Sequence, residues 1–227
     1  ELEIVGCQDA TACNYNDVAT DEGSCVFPID SYPSLNVDGV VAYASDPSAP
    51  TAAFVAENLD LPGNPYSSVR LLTRKDLFRD FLIKNGFNAP MSKSFYDLEA
   101  ARDFAREIDL PLFVKPVDSC GSKGITVLNN YRELDDAFLE ALNYSLEKRV
   151  IIEEPIRKSS YQLGGDGFIV DGTLVFNCWS NEHFEKRTCV VPIGHSFPTV
   201  HPASLINSAR LETQRLLNLL DMRIGAF

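Results

Sequence analysis

A loop rich in glycine, serine and lysine carries the clearest chemical signal in this sequence. It lies in Pro111–Gly124, PLFVKPVDSCGSKG, after the apolar segment Leu112–Lys115 and before Ile125–Leu128. Such a loop can turn several backbone N–H groups inward, and Lys115 and Lys123 add positive charge beside them. The pattern predicts two strands joined by a cradle for phosphate. An ordinary β-hairpin, whose glycines only make the turn, is the alternative interpretation of the same residues.

Charged residues on both sides of the loop favour the phosphate-binding interpretation. Upstream, Lys75 begins a predicted helix in TRKDLFRDFLIKNGFNAP, and downstream the segment RVIIEEPI contains Glu153 and Glu154. Lys115 directly follows an apolar strand, where a lysine is costly to bury without an anion. For Lys75 alone, a solvated surface position is the default interpretation, and the two glutamates could be exposed carboxylates at a strand end.

The elements that must position these residues follow from hydrophobic periodicity and turn signals. The chain alternates helices with strands up to the loop region and is mainly strands from Val150 onward, with a hairpin turn at Asp171-Gly172. The further predicted strands are Gly39–Tyr43, Val150–Ile156, Tyr161–Val170, Thr173–Ser180, Thr188–Val191 and Met222–Phe227. The predicted helices are Pro50–Asn58, a helix capped by Thr73 with Asp76 and ended by Gly86, a helix from Asp97 to Glu107, Tyr131–Asn143 and Ala203–Leu220.

Lys75, Lys115, the loop and the two glutamates, in this order and spacing, resemble the ATP-grasp superfamily of the carbamoyl-phosphate-synthase-like or carboxylate–amine ligase type. The resemblance covers about Val37 to Phe227 and implies an α+β fold, an incomplete ATP-grasp fold that binds ATP between two lobes. The stretch ASDPSAPTAAFVAENLDLPGNP resembles the tail of the Rossmann-like α/β domain that precedes this fold. The implied organisation is 1–36 of uncertain role, 37–70 as that tail, 71–149 as the first lobe, and 150–227 as the hinge strand and the start of the second lobe.

The resemblance assigns two lysines to the ATP phosphates, a glycine-rich loop that closes over the β- and γ-phosphates, and a hinge strand that holds the adenine. These residues and a ribose contact are, in chain order, Lys75, Lys115, Ser119, Gly121, Ser122, Lys123, Gly124, Glu153, Glu154, Ile156 and Gln162. Gln162 stands where many members have a glutamate for the ribose hydroxyls, and an amide can still bond to both of them. Ile156 is expected to line the adenine slot.

The resemblance further implies a two-step ligase reaction. ATP phosphorylates a small-molecule carboxylate to an acyl phosphate, and an amine then displaces phosphate to form a carbon–nitrogen bond. Mg²⁺ is the second implied cofactor, and its ligands are expected in a part that follows RIGAF, so no metal ligand is assigned here. The chain is therefore expected to be an inactive fragment of a larger ligase, which could form a homodimer. The alternative is a non-enzymatic secreted or surface module with a degenerate ATP-grasp fold.

Charge and hydropathy exclude other classes of partner. The net charge is −12, with no basic stripe interleaved with aromatic residues, so nucleic acid is not expected as a partner. No apolar run approaches the ~18 residues that would predict a membrane span. A cytoplasmic location is expected.

The cysteines and histidines leave two questions open. The segment GCQDATACNYNDVATDEGSC resembles a short cysteine-containing repeat of secreted and surface proteins. Its three cysteines, Cys7, Cys13 and Cys25, allow one disulfide, which argues weakly for an extracellular location. Cys178 and Cys189 lie near three histidines without the paired spacing of a zinc site, so no metal site is predicted. The histidines, His183, His195 and His201, could contact substrate, although bonds to the protein backbone are the favoured interpretation.

Overall fold

The computed structural model describes residues 5–6, 21–22, 37–42, 45–185 and 190–227. The chain divides into two units, Glu1–Tyr66 and Ser67–Phe227, and each is described by itself. Cys7, Cys13, Cys25 and Cys189 lie outside the described residues, so the predicted disulfide chemistry stays a prediction. Among the described residues, no helix is long and apolar enough to cross a membrane.

The described residues of the first unit form one α-helix and one short strand pair. Strands β1 (Val5–Gly6) and β2 (Asp21–Glu22) pair in parallel. A 3₁₀ turn, Asp46–Ser48, leads into helix α1 (Ala49–Asn58), which buries Ala53, Val55 and Ala56. This confirms the predicted helix, whose Pro50 lies in the first turn, where a proline removes no helical hydrogen bond.

The predicted strand Gly39–Tyr43 is wrong over residues 39–42, which form no strand. A strand is stabilised by hydrogen bonds to a neighbouring strand, and no sheet of the described chain includes these residues. Tyr43 lies outside the described residues. An apolar run alone therefore did not suffice to form a strand at this point.

The second unit begins with helices and a four-stranded antiparallel sheet, here called the first sheet. In chain order its elements are α2 (Tyr66–Thr73), α3 (Lys75–Lys84), β3 (Ser92–Phe95), α4 (Leu98–Ala105), β4 (Leu112–Pro116), β5 (Thr126–Leu128), α5 (Leu134–Asn143, after the 3₁₀ turn Tyr131–Glu133) and β6 (Val150–Glu153). The strand order is β3-β6-β4-β5, and every neighbouring pair is antiparallel.

Alternation along β4 divides the first sheet into a core face and a polar face. Leu112 and Val114 are fully buried and pack with Phe138 of α5 and Ala101 of α4. Successive side chains of a strand point to opposite faces, so Lys115 lies on the face away from this core. The sequence therefore places a charged residue opposite the best-packed part of the unit.

Two helix starts test the predicted caps. Asp97 accepts a hydrogen bond from the backbone N–H of Ala100 at 2.9 Å and caps α4, as predicted. Thr73 does not cap α3, because it is the last residue of α2, a helix that the sequence analysis missed, and its hydroxyl donates to the Arg70 carbonyl. Asp76 instead forms ion pairs, which are described below.

The second sheet contains β7 (Gln162–Val170), β8 (Thr173–Phe184), β9 (Pro192–Ser196) and β10 (Gly225–Ala226) in the order β10-β7-β8-β9. All its neighbouring strands are antiparallel, and helix α6 (Ala203–Leu219) contributes Leu217 to the core beside it. Asp171 and Gly172 make the predicted hairpin turn, both with positive φ. Two antiparallel sheets with separate helices confirm the predicted α+β class.

Several strand boundaries differ from the prediction, and β10, for example, covers only Gly225–Ala226 of the predicted strand Met222–Phe227. Strand β6 ends at Glu153, so Ile156 lies beyond it rather than on it. Strand β8 continues past Ser180 to Phe184, because its last residues pair with β9, for example Asn181 with Ser196. The predicted strand Thr188–Val191 is wrong for residues 190 and 191, which precede β9, and its first two residues lie outside the described part of the chain.

Candidate functional site

A cavity of about 590 Å³ lies in the second unit, bordered by α3, β4, β6, the segment after β6, and β8. This volume is within the range of small-molecule and cofactor sites. The lining residues are Arg79, Pro90, Phe113, Lys115, Ile125, Glu153, Glu154, Ile156, Arg157, Lys158, Ser159, Ser160, Tyr161, Gln162, Phe184 and Val190. Four basic and two acidic side chains face this space.

A buried glutamate joins two cations in the wall of the cavity. Glu153 forms an ion pair with the Lys115 ammonium, and its Oε2 accepts a hydrogen bond from Arg79 Nε at 3.1 Å. The Lys115 Nζ also lies 4.5 Å from the centroid of the Phe113 ring, close enough for a cation–π contact. The register of the sheet brings these residues together, because Phe113 of β4 lies opposite Glu153 of β6.

The Glu153 side chain is only 4% exposed, yet its carboxylate is held in the charged form. Burial by itself raises the pKa of the Glu153 carboxyl, but the charges of Lys115 and Arg79 outweigh burial and lower the pKa below its ordinary value. Two cations thus surround one anion, which leaves a net positive charge at this part of the wall.

Lys75 lies beside this cluster at the start of α3. Its backbone N–H donates to the Val117 carbonyl at 2.8 Å, and its ammonium donates to the Ser119 carbonyl at 2.5 Å. Burial lowers the pKa of the Lys75 ammonium, and the positive charge of Lys115 lowers it further. Lys75 is therefore not a solvated surface lysine, and an anion placed between the two lysines would relieve their repulsion.

The glycine-rich loop adopts backbone conformations that favour glycine. Gly121, Ser122 and Gly124 have φ angles of 64°, 59° and 68°. A Cβ atom on Gly124 would approach Tyr144 side-chain atoms to 2.9 Å, so the space beside this residue admits only glycine without a shift of the neighbour. The Ser122 hydroxyl donates to the Val190 carbonyl at 2.8 Å. Strands β4 and β5 do form a hairpin, and within it Gly124 also fits closely against Tyr144.

The residues predicted to hold adenine and ribose follow β6. Glu154 exchanges two hydrogen bonds with Met91, through its backbone N–H at 3.0 Å and its carboxylate at 2.8 Å. Ile156 is 72% exposed, and the Gln162 amide donates to the Glu182 carboxylate at 2.6 Å. All three predicted residues line the cavity.

The structure brings five of the predicted site residues into the cavity wall, Lys115, Glu153, Glu154, Ile156 and Gln162. Lys75 and the loop residues Ser119, Gly121, Ser122, Lys123 and Gly124 lie outside that lining. The sequence analysis missed Arg79 and Phe113. Arg79 lies four residues after Lys75 and so on the same side of α3, a spacing that could have identified it. Phe113 is two residues before Lys115, so it shares the same face of β4.

The three histidines bond to nearby protein groups. His183 Nε2 lies 2.9 Å from the Ser196 hydroxyl, and His195 Nδ1 lies 2.9 Å from the Ser180 hydroxyl. His201 Nε2 lies 2.9 Å from the Tyr161 carbonyl oxygen, so within the described part of the chain only this histidine has the favoured backbone partner. Among the described residues, no group of three or more His, Cys, Asp and Glu side chains could hold a metal ion, and Cys120 and Cys178 are free thiols.

Part of the chain matches a known protein family. Residues 86–164 match the family described as "D-ala D-ala ligase C-terminus". The carbamoyl phosphate synthase large chain of Methanobrevibacter smithii is 24% identical over 195 residues, which are 82% of this chain and 18% of that protein. The chain thus spans less than a fifth of the length of this relative.

Solved structures share the fold at low sequence identity. The L-amino acid ligase of Bacillus licheniformis superposes with a TM-score of 0.70 at 18% identity, over 92% of this chain and 52% of that one. The biotin carboxylase–beta-gamma-ATP complex of Campylobacter jejuni superposes with a TM-score of 0.69 at 14% identity, over 88% and 47% of the two chains. These superpositions establish that the chain carries part of the ATP-grasp fold, and with the matching family and the relatives they support its membership of the ATP-grasp superfamily.

Proposed function

We propose that the second unit binds ATP in the cavity, as the nucleotide-binding part of an ATP-dependent ligase that joins a carboxylate to an amine. The observation that carries this proposal is the cluster of Lys115, Glu153 and Arg79 in the cavity wall, with Lys75 and the glycine-rich loop beside it. A cytoplasmic location, where Mg-ATP is abundant, accompanies this proposal.

The distribution of charge supports an anionic ligand. The whole chain carries a net charge of −12, yet the cavity has four basic side chains, Arg79, Lys115, Arg157 and Lys158, against two glutamates. A local excess of positive charge in an acidic protein attracts anions to that position. The partly buried Lys75 and Lys115 are the strongest candidates to bind this anion. Among the described residues, Lys115 shares Glu153 with Arg79, and Lys75 bonds to a carbonyl, so neither has a full negative charge to itself.

The positions of the residues favour a nucleotide over a small anion. In the proposed orientation Lys75, Lys115 and the loop N–H groups hold the phosphates, while Ile156 and the segment after Glu153 hold the adenine. Gln162 of β7 faces the ribose and keeps its bond to Glu182. When bound, ATP would supply the phosphoryl group that activates the carboxylate for attack by the amine. The described residues contain no group that fits Mg²⁺, so no ligand to that ion is assigned.

A thermal melt of the chain with and without Mg-ATP, beside Lys115→Ala, tests the proposal. Binding to the native state alone raises its stability by RT ln(1 + [L]/Kd), so ligand at ~100 times Kd adds ~2.7 kcal/mol. We expect this shift in the parent chain and its loss in Lys115→Ala. AMP, which lacks the β- and γ-phosphates, should stabilise both proteins less than ATP stabilises the parent.

Lys93→Ala is the matched control, because Lys93 is also a strand lysine of the first sheet and its Nζ lies 5.7 Å from the centroid of the Phe95 ring. Lys93 does not line the cavity. This variant should therefore retain the full shift with Mg-ATP. The proposal fails if the parent chain melts cooperatively without any shift, or if Lys115→Ala responds as strongly as the parent. Ligase activity would appear as release of inorganic phosphate that requires both a carboxylate and an amine.

A further inference from the structure

A group of charges centred on the buried Arg74 and Asp76 lies next to Lys75 without lining the cavity. Asp76 pairs with two guanidinium groups, Arg74 Nη2 at 3.0 Å and Arg149 Nη1 at 3.2 Å, and Arg74 Nη1 in turn lies 2.5 Å from Glu147 Oε1. We call Arg74, Asp76, Glu147 and Arg149 the Asp76 cluster. Arg74 and Asp76 are 6% and 4% exposed, which is unusual for charged residues. The nucleotide site as proposed makes no use of them.

The Asp76 cluster joins three parts of the chain that meet at the start of the glycine-rich loop. The Lys75 N–H donates to the Val117 carbonyl at 2.8 Å, and the Val117 N–H donates to the Arg149 carbonyl at 3.2 Å. The Glu147 N–H donates to the Asp118 carboxylate at 2.8 Å. The start of α3, the end of β4 and the segment before β6 are therefore connected by backbone bonds, and Asp76 ties the first and last of them together through side chains.

The segment before β6 also contacts the other end of the loop. Tyr144, which follows α5, packs against Gly124 so closely that a methyl group would not fit between them. The same segment thus contacts the loop at Val117 and Asp118 on one side and at Gly124 on the other. Any change in the position of this segment would move both ends of the loop.

Stability alone is a weak reason for such a cluster. Burying an ion pair often costs as much free energy as the pair returns, and apolar residues of the same size can serve as well. Burial by itself lowers the pKa of the Arg74 guanidinium, but Asp76 and Glu147 outweigh this effect and raise it, so the group keeps its charge. Directional bonds to two guanidinium groups fix geometry, and apolar packing does not do this to the same degree.

We propose that Asp76 is a positioning residue for ATP binding, which fixes Lys75 and the glycine-rich loop through Arg74 and Arg149. This inference rests on the proposed function, because it assigns to the cluster a role in preparing that site. Holding binding groups in place before the ligand arrives saves the entropy of ordering them on binding. Loss of the carboxylate should therefore weaken ATP binding although Asp76 does not touch the cavity.

The test is calorimetric titration of Mg-ATP into the parent chain, Asp76→Asn and Asp135→Asn, each shown to be folded by its cooperative melt. Asp76→Asn should raise Kd about tenfold, the effect of losing the preorganisation of one or two charged groups. Asp135→Asn is the matched control, because Asp135 also accepts two bonds from one arginine, Arg102, at the α4–α5 contact. Its Kd should equal that of the parent.

Variants of Arg149 can test the positioning role even if Asp76→Asn does not fold. Arg149 is 28% exposed and gives Asp76 one of its two ion pairs, so its replacement is milder. Arg149→Gln should raise Kd several-fold, while Arg149→Lys, which keeps a cation for Asp76, should bind nearly as the parent does. Equal Kd values for Arg149→Gln and the parent would overturn the inference.

A second readout separates this inference from the proposed function. The pKa of Lys75, measured by NMR after reductive methylation with ¹³C-formaldehyde, should rise towards its ordinary value in Asp76→Asn or Arg149→Gln as Lys75 loses its buried position. Besides burial, the charges of Lys115, Asp118 and Glu153 act on Lys75. Loss of the Asp76 carboxylate would by itself lower the pKa of Lys75, so a rise in Asp76→Asn would report an altered position rather than the direct loss of that charge. If the parent does not bind Mg-ATP, the proposed function fails, and an unchanged pKa of Lys75 would then also reject the positioning role.

Discussion

The two sheets of the second unit bury their apolar side chains to very different extents. The cluster of buried residues at the first sheet has thirteen members, among them Leu112, Leu128 and Phe138, whereas the cluster at the second sheet has five. On the second sheet Phe168, Val175 and several other large apolar residues are substantially exposed. Apolar burial is the main source of stability, so the first sheet should contribute most of the free energy of unfolding of this unit.

The difference in packing matches a difference in charge. The buried charges, Arg74, Asp76 and Glu153, all belong to the first sheet or the helices and segments around it. The buried polar residues of the second sheet, Ser180 and Asn181, are neutral and bond to side chains such as those of His195 and Ser196. A well-packed sheet can hold ionised groups at fixed positions, which an electrostatic binding site requires. The second sheet contributes the opposite wall of the cavity, through Gln162 and Phe184.

The largest expected contrast between the sheets is in core stability. Phe138→Ala removes a ring that is 2% exposed at the first sheet and should lower the free energy of unfolding by about 3–5 kcal/mol. Phe176→Ala removes a ring that is 56% exposed on the second sheet and should cost less than about 1 kcal/mol. Urea unfolding followed by the fluorescence of Trp179 measures both values.

The position of Trp179 allows the same measurement to show whether the two sheets unfold together. The single tryptophan lies in the second sheet, so a shift of its transition in Phe138→Ala would show that the two sheets unfold together. A Trp179 transition that stays at its parental midpoint, while circular dichroism shows loss of the first sheet, would contradict cooperative unfolding. Similar costs for the two phenylalanine variants would contradict the contrast itself.

A smaller loss of stability is expected when a glycine with positive φ is replaced in the loop or hairpin of each sheet. Gly124 in the loop of the first sheet and Gly172 in the hairpin of the second have φ angles of 68° and 75°. Alanine should cost about 1–3 kcal/mol at either position through backbone strain. At Gly124 the added methyl would also lie 2.9 Å from Tyr144, whereas at Gly172 it would lie 3.7 Å from the Met222 carbonyl oxygen.

Gly124→Ala should therefore be the more destabilising of the two variants, and it should also weaken Mg-ATP binding because the loop must shift. Thermal melts with and without nucleotide measure both effects. A double variant, Gly124→Ala with Tyr144→Ala, removes the clash and leaves only the backbone strain. The contact with Tyr144 has no role if this double variant binds no better than Gly124→Ala.

Local patterns predicted parts of both sheets and missed β3 of the first sheet and β9 of the second. The alternation LFVK and the helical spacing of Leu134, Ala137, Phe138 and Ala141 identified β4 and α5 because each element buries one regular face. Strand β9, Pro192–Ser196, has no such alternation, and its residues pair with β8 largely in solvent. A strand with two exposed faces leaves little pattern in the sequence.

The site residues that could be predicted are those whose role is visible in the neighbouring sequence. Lys115 after an apolar strand and the glycines of the loop were identified from the sequence. The ion pair of Arg79 with Glu153 joins residues 74 positions apart, and nothing local to either residue indicates it. The Asp76 cluster was missed for a similar reason, because Asp76 looks like part of a helix cap until Arg149 is brought beside it by the sheet.

The smallest effect that separates the sheets should appear in the pH dependence of stability. The pKa of Glu153 is lowered in the folded chain from its ordinary value of 4.5, because Lys115 and Arg79 outweigh burial. A carboxyl with a lowered folded-state pKa adds stability that is fully present above the unfolded-state pKa and is lost as pH falls through the folded-state value. The free energy of unfolding should therefore decrease below about pH 4.5, as the unfolded chain takes up the proton first.

Glu153→Gln should remove this component, so that the variant, although less stable at neutral pH, loses less free energy than the parent between about pH 5 and pH 3. Glu182→Gln is the matched control in the second sheet, because Glu182 is also a strand carboxylate but accepts its bond from the neutral Gln162. Because, in the described part of the chain, only the first sheet buries charges, the free energy of unfolding should fall equally with decreasing pH in the parent and in Glu182→Gln. In Glu153→Gln it should fall less. If all three curves have the same slope, then the acid sensitivity comes from other carboxylates, and the Lys115–Glu153–Arg79 cluster does not link folding to protonation in the way its geometry indicates.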